Sequence, residues 1–228
     1  LVKCRFYQAS TSEMFGNTVR KRNQKINMQN SFEPVSPYAI SKLSAHHLVK
    51  LYRESYGLYA CSGILFNHES PLRGREFVTK KIVENLVKQK YQNGEILKLG
   101  NLDANRDWGH AEDYVDAMIS ILDQKKPDDY IIATGKSNSV REFFLITAKI
   151  LGFKPKFIGK GVNEKCIDLK SKKIIMKVDK KYYRDNELHF LRGDASKSKK
   201  ILKWKPKYNF IQMINEMVNY EVNQIKKI

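Results

Sequence analysis

Two short segments hold residue types that could move protons together. The first is Ser10-Thr11-Ser12-Glu13, at the end of a strand-like stretch that begins at Lys3. In extended backbone, residues two apart face the same way, so Thr11 and Glu13 are expected on one side and Ser12 on the other. A hydroxyl beside a carboxylate can hold a substrate oxygen and take a neighbouring proton. The second is Tyr38-x-x-x-Lys42. On a helix, a spacing of four stacks both side chains on one face. A phenol ordinarily has a pKa of about 10, and an ammonium a few ångströms away favours the phenolate, a base useful near neutrality. In so lysine-rich a chain the spacing alone carries little weight. Its setting raises it: Ser36-Pro37 reads as a cap followed by proline at the first helical position.

The elements that must carry these residues alternate. Strand-like segments cover 3–10, which reads as buried, 59–66 (YACSGILF), 96–99, 129–134 (DYIIAT) and 174–179. Apolar residues recur at helical spacing over 38–56, 76–91 and 139–151, and helices are expected near 111–122, 194–202 and 210–225. Gly57 and Gly135 read as stops, and Ser139 as a cap. Basic loops are expected through most of 151–193. Such alternation predicts an α/β fold with a largely parallel sheet. In such sheets ligands sit beyond the carboxyl ends of the strands. Thr11 and Glu13 follow the first strand and Asn67 and His68 the second, so both sets are expected on one rim.

The chain has 228 residues, 42% hydrophobic and 29% charged, with a formal net charge of +18. These proportions exclude a collagen-like, coiled-coil or disordered chain. Three scattered cysteines form no C-x-x-C, which points to a reducing compartment, no metal site and no disulfide framework. No apolar run reaches the ~18 residues of a membrane helix. A basic chain suggests nucleic acid. Here lysine outnumbers arginine about three to one, and 16 Lys, 2 Arg and 6 acids crowd residues 154–207. Lys, Ile and Asn share A/T-rich codons, and a solvated lysine face is the simpler reading.

Longer motifs narrow the field. FYQASTSEMFG (6–16), SPYAISKLSAHHLVKLYRESYGLYACSGILFNHESPLRG (36–74), FVTKKI (77–82), LGNLDANRDWGHAEDYVDAM (99–118) and IATGKSNSVREF (132–143) resemble the extended short-chain dehydrogenase/reductase family, within it the branch that dehydrates GDP-mannose. The resemblance runs over nearly the whole chain. NHESPLRG and RDWGHAEDYV are the specific stretches; they separate this branch from epimerases and from dTDP-glucose dehydratases.

The resemblance implies a hydro-lyase that converts GDP-mannose to GDP-4-keto-6-deoxymannose, with NADP carrying a hydride from C4 to C6. It implies Thr11, Glu13, Tyr38 and Lys42 as catalytic residues, and Tyr38, Lys42, His68 and Arg73 as cofactor contacts. Asn67, Lys81, Arg106, Arg184 and Glu187 are implied to face the nucleotide sugar, the last two on a looser match (YYRDNE). It also implies a cytoplasmic homo-oligomer, a dimer or tetramer, with no membrane and no nucleic-acid partner. Two alternatives stay open: another nucleotide-sugar epimerase or dehydratase of the family, or a truncated, inactive basic binding protein.

The implied architecture is the C-terminal part of a Rossmann-like doubly wound sheet plus a smaller α/β substrate-binding lobe. Residues 1–66 and 95–135, continuing to about 150, are expected in the dinucleotide-binding part; 67–94 and 151–228 mostly in the lobe. Departures from the family are plain. None of the 12 glycines forms the G-x-x-G-x-x-G turn that cradles a dinucleotide diphosphate. Roughly four βα units, on the order of 100 residues, are expected to be missing. The first residue is Leu1, so a fragment is expected. Residues 17–30 are longer and more basic than in the family, and Val35 stands where arginine is common.

Overall fold

The computed structural model describes residues 4–19, 21, 24–183, 188 and 190–226. In chain order the elements are β1 (Phe6–Thr11), α1 (Pro37–Tyr56), β2 (Ala60–Leu65), β3 (Asn67–Glu69), α2 (Val78–Tyr91), β4 (Leu97–Leu99), β5 (Asn105–Arg106), β6 (Trp108–His110), α3 (Ala111–Leu122), β7 (Asp129–Ile132), β8 (Asn138–Ser139), α4 (Val140–Ile150), β9 (Pro155–Ile158), β10 (Lys165–Asp168), β11 (Ile174–Val178), α5 (Ser196–Ile201) and α6 (Phe210–Lys226). They fall into two compact units.

Unit 1 comprises residues 1–68, 105–137 and 188–208. Its sheet is β1-β2-β7, parallel throughout, with Phe6 opposite Ala60 and Ser62 opposite Asp129. Every residue of β2 is buried, because α1 and α3 both pack against it. A strand covered on both faces needs no polar alternation, which is why ACSGIL reads as a continuous run. Met14, Phe15, Ile64, Phe66 and Tyr114 lie in the core of this unit. At the far end of α1 the Arg53 guanidinium grips Asp129 with two 2.8 Å bonds. Arg53 outweighs the effect of burial and holds the Asp129 carboxyl below its ordinary pKa.

Unit 2 comprises residues 69–104, 138–187 and 209–228. Its sheet runs β4-β11-β10-β9, with β4 and β11 parallel and the other pairs antiparallel. Helices α2, α4 and α6 pack on one another, α2 also on β4 and α4 on β9. In this sheet Lys98, Lys177 and Lys165 stand in one cross-strand row.

Caps and stops act at the expected places. Ser36 Oγ accepts the Ala39 N–H at 3.1 Å, and Ser139 forms a reciprocal capping box with Glu142. Gly57 closes α1 at φ 63° and Gly135 follows β7 at φ 78°, conformations that side chains with a Cβ resist.

Four expectations are corrected. Residues 12–15 form a turn of 3-10 helix rather than extended chain, so the alternation of Thr11, Ser12 and Glu13 does not hold. The first strand is not buried along its length: it starts with Phe6 exposed and ends on buried Ser10 and Thr11. The basic stretch after 151 contains β9 and β10, and the sheet they build is mostly antiparallel. The division of the chain also differs. Residues 95–104 and 138–150 go with unit 2, because β4 pairs with β11 and α4 packs on α2 and α6. Residues 188–208 go with unit 1, because Gly193 binds Asp107 and α5 packs on β7. Among the described residues no helix is long and apolar enough to cross a membrane.

Candidate active site

The corner between β1 and α1 gathers the proton-handling residues of unit 1. The Ser36 cap starts α1 and puts Tyr38 in its first turn, half exposed. One turn on, the Lys42 ammonium donates to the Ala9 carbonyl at 2.8 Å, while its Nζ lies 5.8 Å from the centre of the Tyr38 ring. One turn further, His46 Nδ1 lies 3.1 Å from Ser10 Oγ. Two successive turns of α1 thus hold Ala9 and Ser10, the residues just before Thr11. His46 is buried, which lowers its pKa; the Asp129 carboxylate opposes this in part.

Thr11 ends β1 and caps the 3-10 turn: its Oγ1 accepts the Glu13 N–H at 3.3 Å. Glu13 sits half-buried in that turn, closed by a 3.1 Å bond from the Gly16 N–H to the Glu13 carbonyl. Any ordinary side chain in place of Gly16 would drive into the Glu33 backbone. A turn tied to β1 and a helix tied to the same strand hold Thr11, Glu13, Tyr38 and Lys42 in one framework. Lys42 spends one of its three N–H donors on Ala9, and two are left for a hydroxyl-bearing ligand.

Asn67 and His68 follow β2. The Asn67 Oδ1 is buried with no hydrogen-bond partner among the described residues, an acceptor left for a ligand's hydroxyl or amide. His68 donates from Nδ1 to the Phe66 carbonyl at 2.9 Å and stacks on Tyr114, centroids 4.8 Å apart. Arg106 donates to the carbonyls of Asn105 at 2.9 Å and Leu188 at 2.6 Å.

Unit 2 carries the other two described candidates. Arg73 pairs through Nε with Glu69 Oε2 at 3.1 Å, its guanidinium 3.4 Å above the Phe77 ring. The Lys81 ammonium lies 3.5 Å from the centre of the Tyr182 ring. Arg184 and Glu187 lie outside the described residues.

Three supporting residues escaped the sequence reading. Asp107, fully buried, accepts the Thr134 N–H at 2.8 Å, the Thr134 hydroxyl at 2.6 Å, the Gly135 N–H at 2.9 Å and the Gly193 N–H at 3.2 Å. It clamps the backbone beside Arg106. Burial pushes its carboxyl up to about 6, against the pull of those bonds. His46 and Glu69 are the others. Each sits inside a recognisable motif, but its partner is a side chain or backbone group that spacing does not reveal.

With this geometry in hand, the similarities acquire weight. Residues 1–217 match the profile of a family described as GDP-mannose 4,6 dehydratase. A protein of Drosophila melanogaster called GDP-mannose 4,6 dehydratase is 44% identical over 223 residues, 98% of this chain and 56% of its own length. The Homo sapiens protein of that name is 46% identical over 222 residues, 97% of this chain and 59% of its length. The GDP-mannose 4,6-dehydratase of Vibrio cholerae serotype O1 is 46% identical over 232 residues, 97% of this chain and 61% of its length. The chain thus spans about three-fifths of the length of these relatives. Among solved structures, RMD of Pseudomonas aeruginosa complexed with NADPH superposes with a TM-score of 0.79 at 19% identity, over 96% of this chain and 66% of that one. dTDP-glucose 4,6-dehydratase of Bacillus anthracis in complex with NAD gives 0.79 at 22% identity, over 97% and 63%. At that identity the two structures establish the α/β fold alone.

Proposed function

We propose, because this chain belongs to the GDP-mannose 4,6-dehydratase family, that its residues carry the catalytic part of an enzyme converting GDP-mannose to GDP-4-keto-6-deoxymannose and water. The observation that carries the reading is the β1–α1 corner. There the Thr11–Glu13 turn and the Tyr38–Lys42 face are tied to one strand end by the Lys42–Ala9 bond.

The reading includes a nicotinamide cofactor, specifically NADP. Tyr38, Lys42, His68 and Arg73 would hold it, with the two remaining donors of Lys42 suited to a ribose diol. When bound, the nicotinamide supplies a hydride acceptor for C4 and a hydride donor for C6. Tyr38, as phenolate, takes the O4 proton, and the Thr11 hydroxyl orients that oxygen. The resulting 4-keto group acidifies C5. Glu13 takes the C5 proton and gives it to the C6 hydroxyl, which leaves as water. A positioned acid–base group of this kind is worth roughly 10²–10⁴ in rate. Asn67, Lys81, Arg106, Arg184 and Glu187 are assigned to the nucleotide sugar. An arginine fork suits a diphosphate, and the orphaned Asn67 oxygen suits a sugar hydroxyl.

We also assign unit 1 to the dinucleotide and unit 2 mainly to the sugar nucleotide. The protein is read as a cytoplasmic homo-oligomer. Free Cys4, Cys61 and Cys166 support a reducing compartment, and exposed Ile40, Leu48, Leu51, Tyr52 and Tyr56 along α1 support self-association.

The test is to supply the intact protein with GDP-mannose and NADP and to identify the product. GDP-4-keto-6-deoxymannose is expected. A GDP-hexose epimer instead would move the protein to another branch of the family.

A further inference from the structure

We propose that Glu69 is a positioning residue: it holds the Arg73 guanidinium over the Phe77 ring, in the position from which Arg73 meets an anionic part of the cofactor. The proposal rests on the reading of Arg73 as a cofactor contact.

The geometry is local to unit 2. Glu69 ends β3 and is almost entirely buried, its side chain 2% exposed, whereas Arg73 is 23% exposed. Both contacts of the carboxylate land on one oxygen. Oε2 accepts the Thr79 hydroxyl at 2.7 Å and lies 3.1 Å from Arg73 Nε, a close ion pair whose N–H is not aligned into a hydrogen bond. Thr79 sits in the first turn of α2, so the carboxylate is fixed from the helix side and cannot follow the arginine if it swings away. Below the guanidinium lies the Phe77 ring, at 3.4 Å. A planar cation held at one edge by a carboxylate and on one face by an aromatic ring has lost most of its rotamer freedom. Its two terminal nitrogens have no acceptor among the described residues. Those nitrogens form the fork that takes two oxygens of a phosphate.

Burying a carboxylate is costly, and the cost shows in its acidity. Burial pushes Glu69 up to about 7, although the Arg73 charge and the Thr79 bond pull it down. The pair therefore keeps a carboxylate in an environment that disfavours its charge, which is how supporting groups around a binding site are commonly built. Of the two lysines in the first turn of α2, Lys80 turns its ammonium to Glu221 and the Pro71 carbonyl, and Lys81 lies over the Tyr182 ring. Arg73 is the cation that Glu69 serves.

The experiment compares the wild type with Glu69→Gln, Arg73→Ala and the double variant at pH 8. Glutamine keeps the acceptor for Thr79 and removes the charge, so melting curves should stay cooperative. In the 15N-labelled protein the Arg73 side-chain Nε signal should be sharp, as for an arginine held in one rotamer, and Glu69→Gln should broaden or remove it. NADPH titration of the intact protein should show about tenfold weaker binding in Glu69→Gln. The double variant should bind no more weakly than Arg73→Ala alone, since Glu69 acts through Arg73. An Arg73 signal unchanged in Glu69→Gln, or losses that add in the double variant, would overturn the proposal. If Arg73→Ala bound NADPH as well as the wild type, the assignment of Arg73 to the cofactor would fail, whatever the state of the Glu69 clamp.

Discussion

The two sheets of this chain solve different problems. In unit 1 three parallel strands send their carboxyl ends the same way, and the residues that follow them come together because of that direction. Thr11 follows β1 and Asn67 follows β2; backbone bonds place both. In unit 2 the sheet is mostly antiparallel, and its candidate residues, Arg73 and Lys81, lie on a loop and a helix. They are held by side chains: Glu69 and Phe77 hold Arg73, and Tyr182 faces Lys81. A strand end positions its residues for any sequence that makes the strand. A side-chain clamp depends on particular partners, so single substitutions should separate the two units cleanly.

The sharpest break belongs to unit 1. Glu13→Gln keeps size and turn geometry and removes the base. Turnover should fall roughly 10²–10⁴-fold while oxidation at C4 survives. Run in D2O with GDP-mannose, the variant should accumulate reduced cofactor absorbance without deuterium at C5. A 6-deoxy product formed at near wild-type rate with deuterium at C5 would take the proton step away from Glu13.

Next comes Asp107, the clamp under the unit 1 rim. Asp107→Ala strips three backbone N–H groups and one hydroxyl of their shared acceptor. Each buried orphan costs about 1–3 kcal/mol, so a loss of about 3–5 kcal/mol is expected in urea denaturation after partial rescue by water. A loss under about 1 kcal/mol would mean that strand pairing alone holds this rim.

Glu69 in unit 2 supplies a pH-dependent contrast. Its folded-state pKa, about 7, lies above the ordinary 4.5. Its contribution to stability is therefore complete below about 4.5 and is lost as pH rises through about 7. The stability of the wild type relative to Glu69→Gln should drop by roughly 2–4 kcal/mol between pH 4.5 and 8. Thermal melts at several pH values would show it. A difference independent of pH would place the Glu69 pKa near its ordinary value.

The smallest effect concerns the lysine row of the antiparallel sheet. Lys177 stands directly across from Lys98 on one side and Lys165 on the other. Like charges directly opposite are unfavourable, so Lys177→Glu should stabilise by roughly 0.2–1 kcal/mol, and less at high salt. A destabilised variant would show that these lysines are well separated in solution.

What the sequence determined by itself was local. The Ser36-Pro37 cap, the stop at Gly57, the Ser139 box and the buried run of β2 are written in neighbouring residues, because capping, left-handed turns and hydrophobic periodicity act within a few positions. Tyr38-x-x-x-Lys42 was legible for the same reason, and the longer motifs made the family legible. Tertiary structure decided what depends on distant partners. Nothing near Lys165 announces that β10 will pair antiparallel with β9 and β11, and strand register depends on which faces become buried. The turn at Ser12–Phe15 was hidden too, since a polar tetrapeptide fits an extended end as well as a 3-10 turn until Phe15 finds the core. The supports of the site were hidden most of all. Asp107 and Gly193 are 86 residues apart, and Lys42 and Ala9 are 33 apart. A hydrogen bond needs atoms about 3 Å apart, and only a folded chain brings such residues that close.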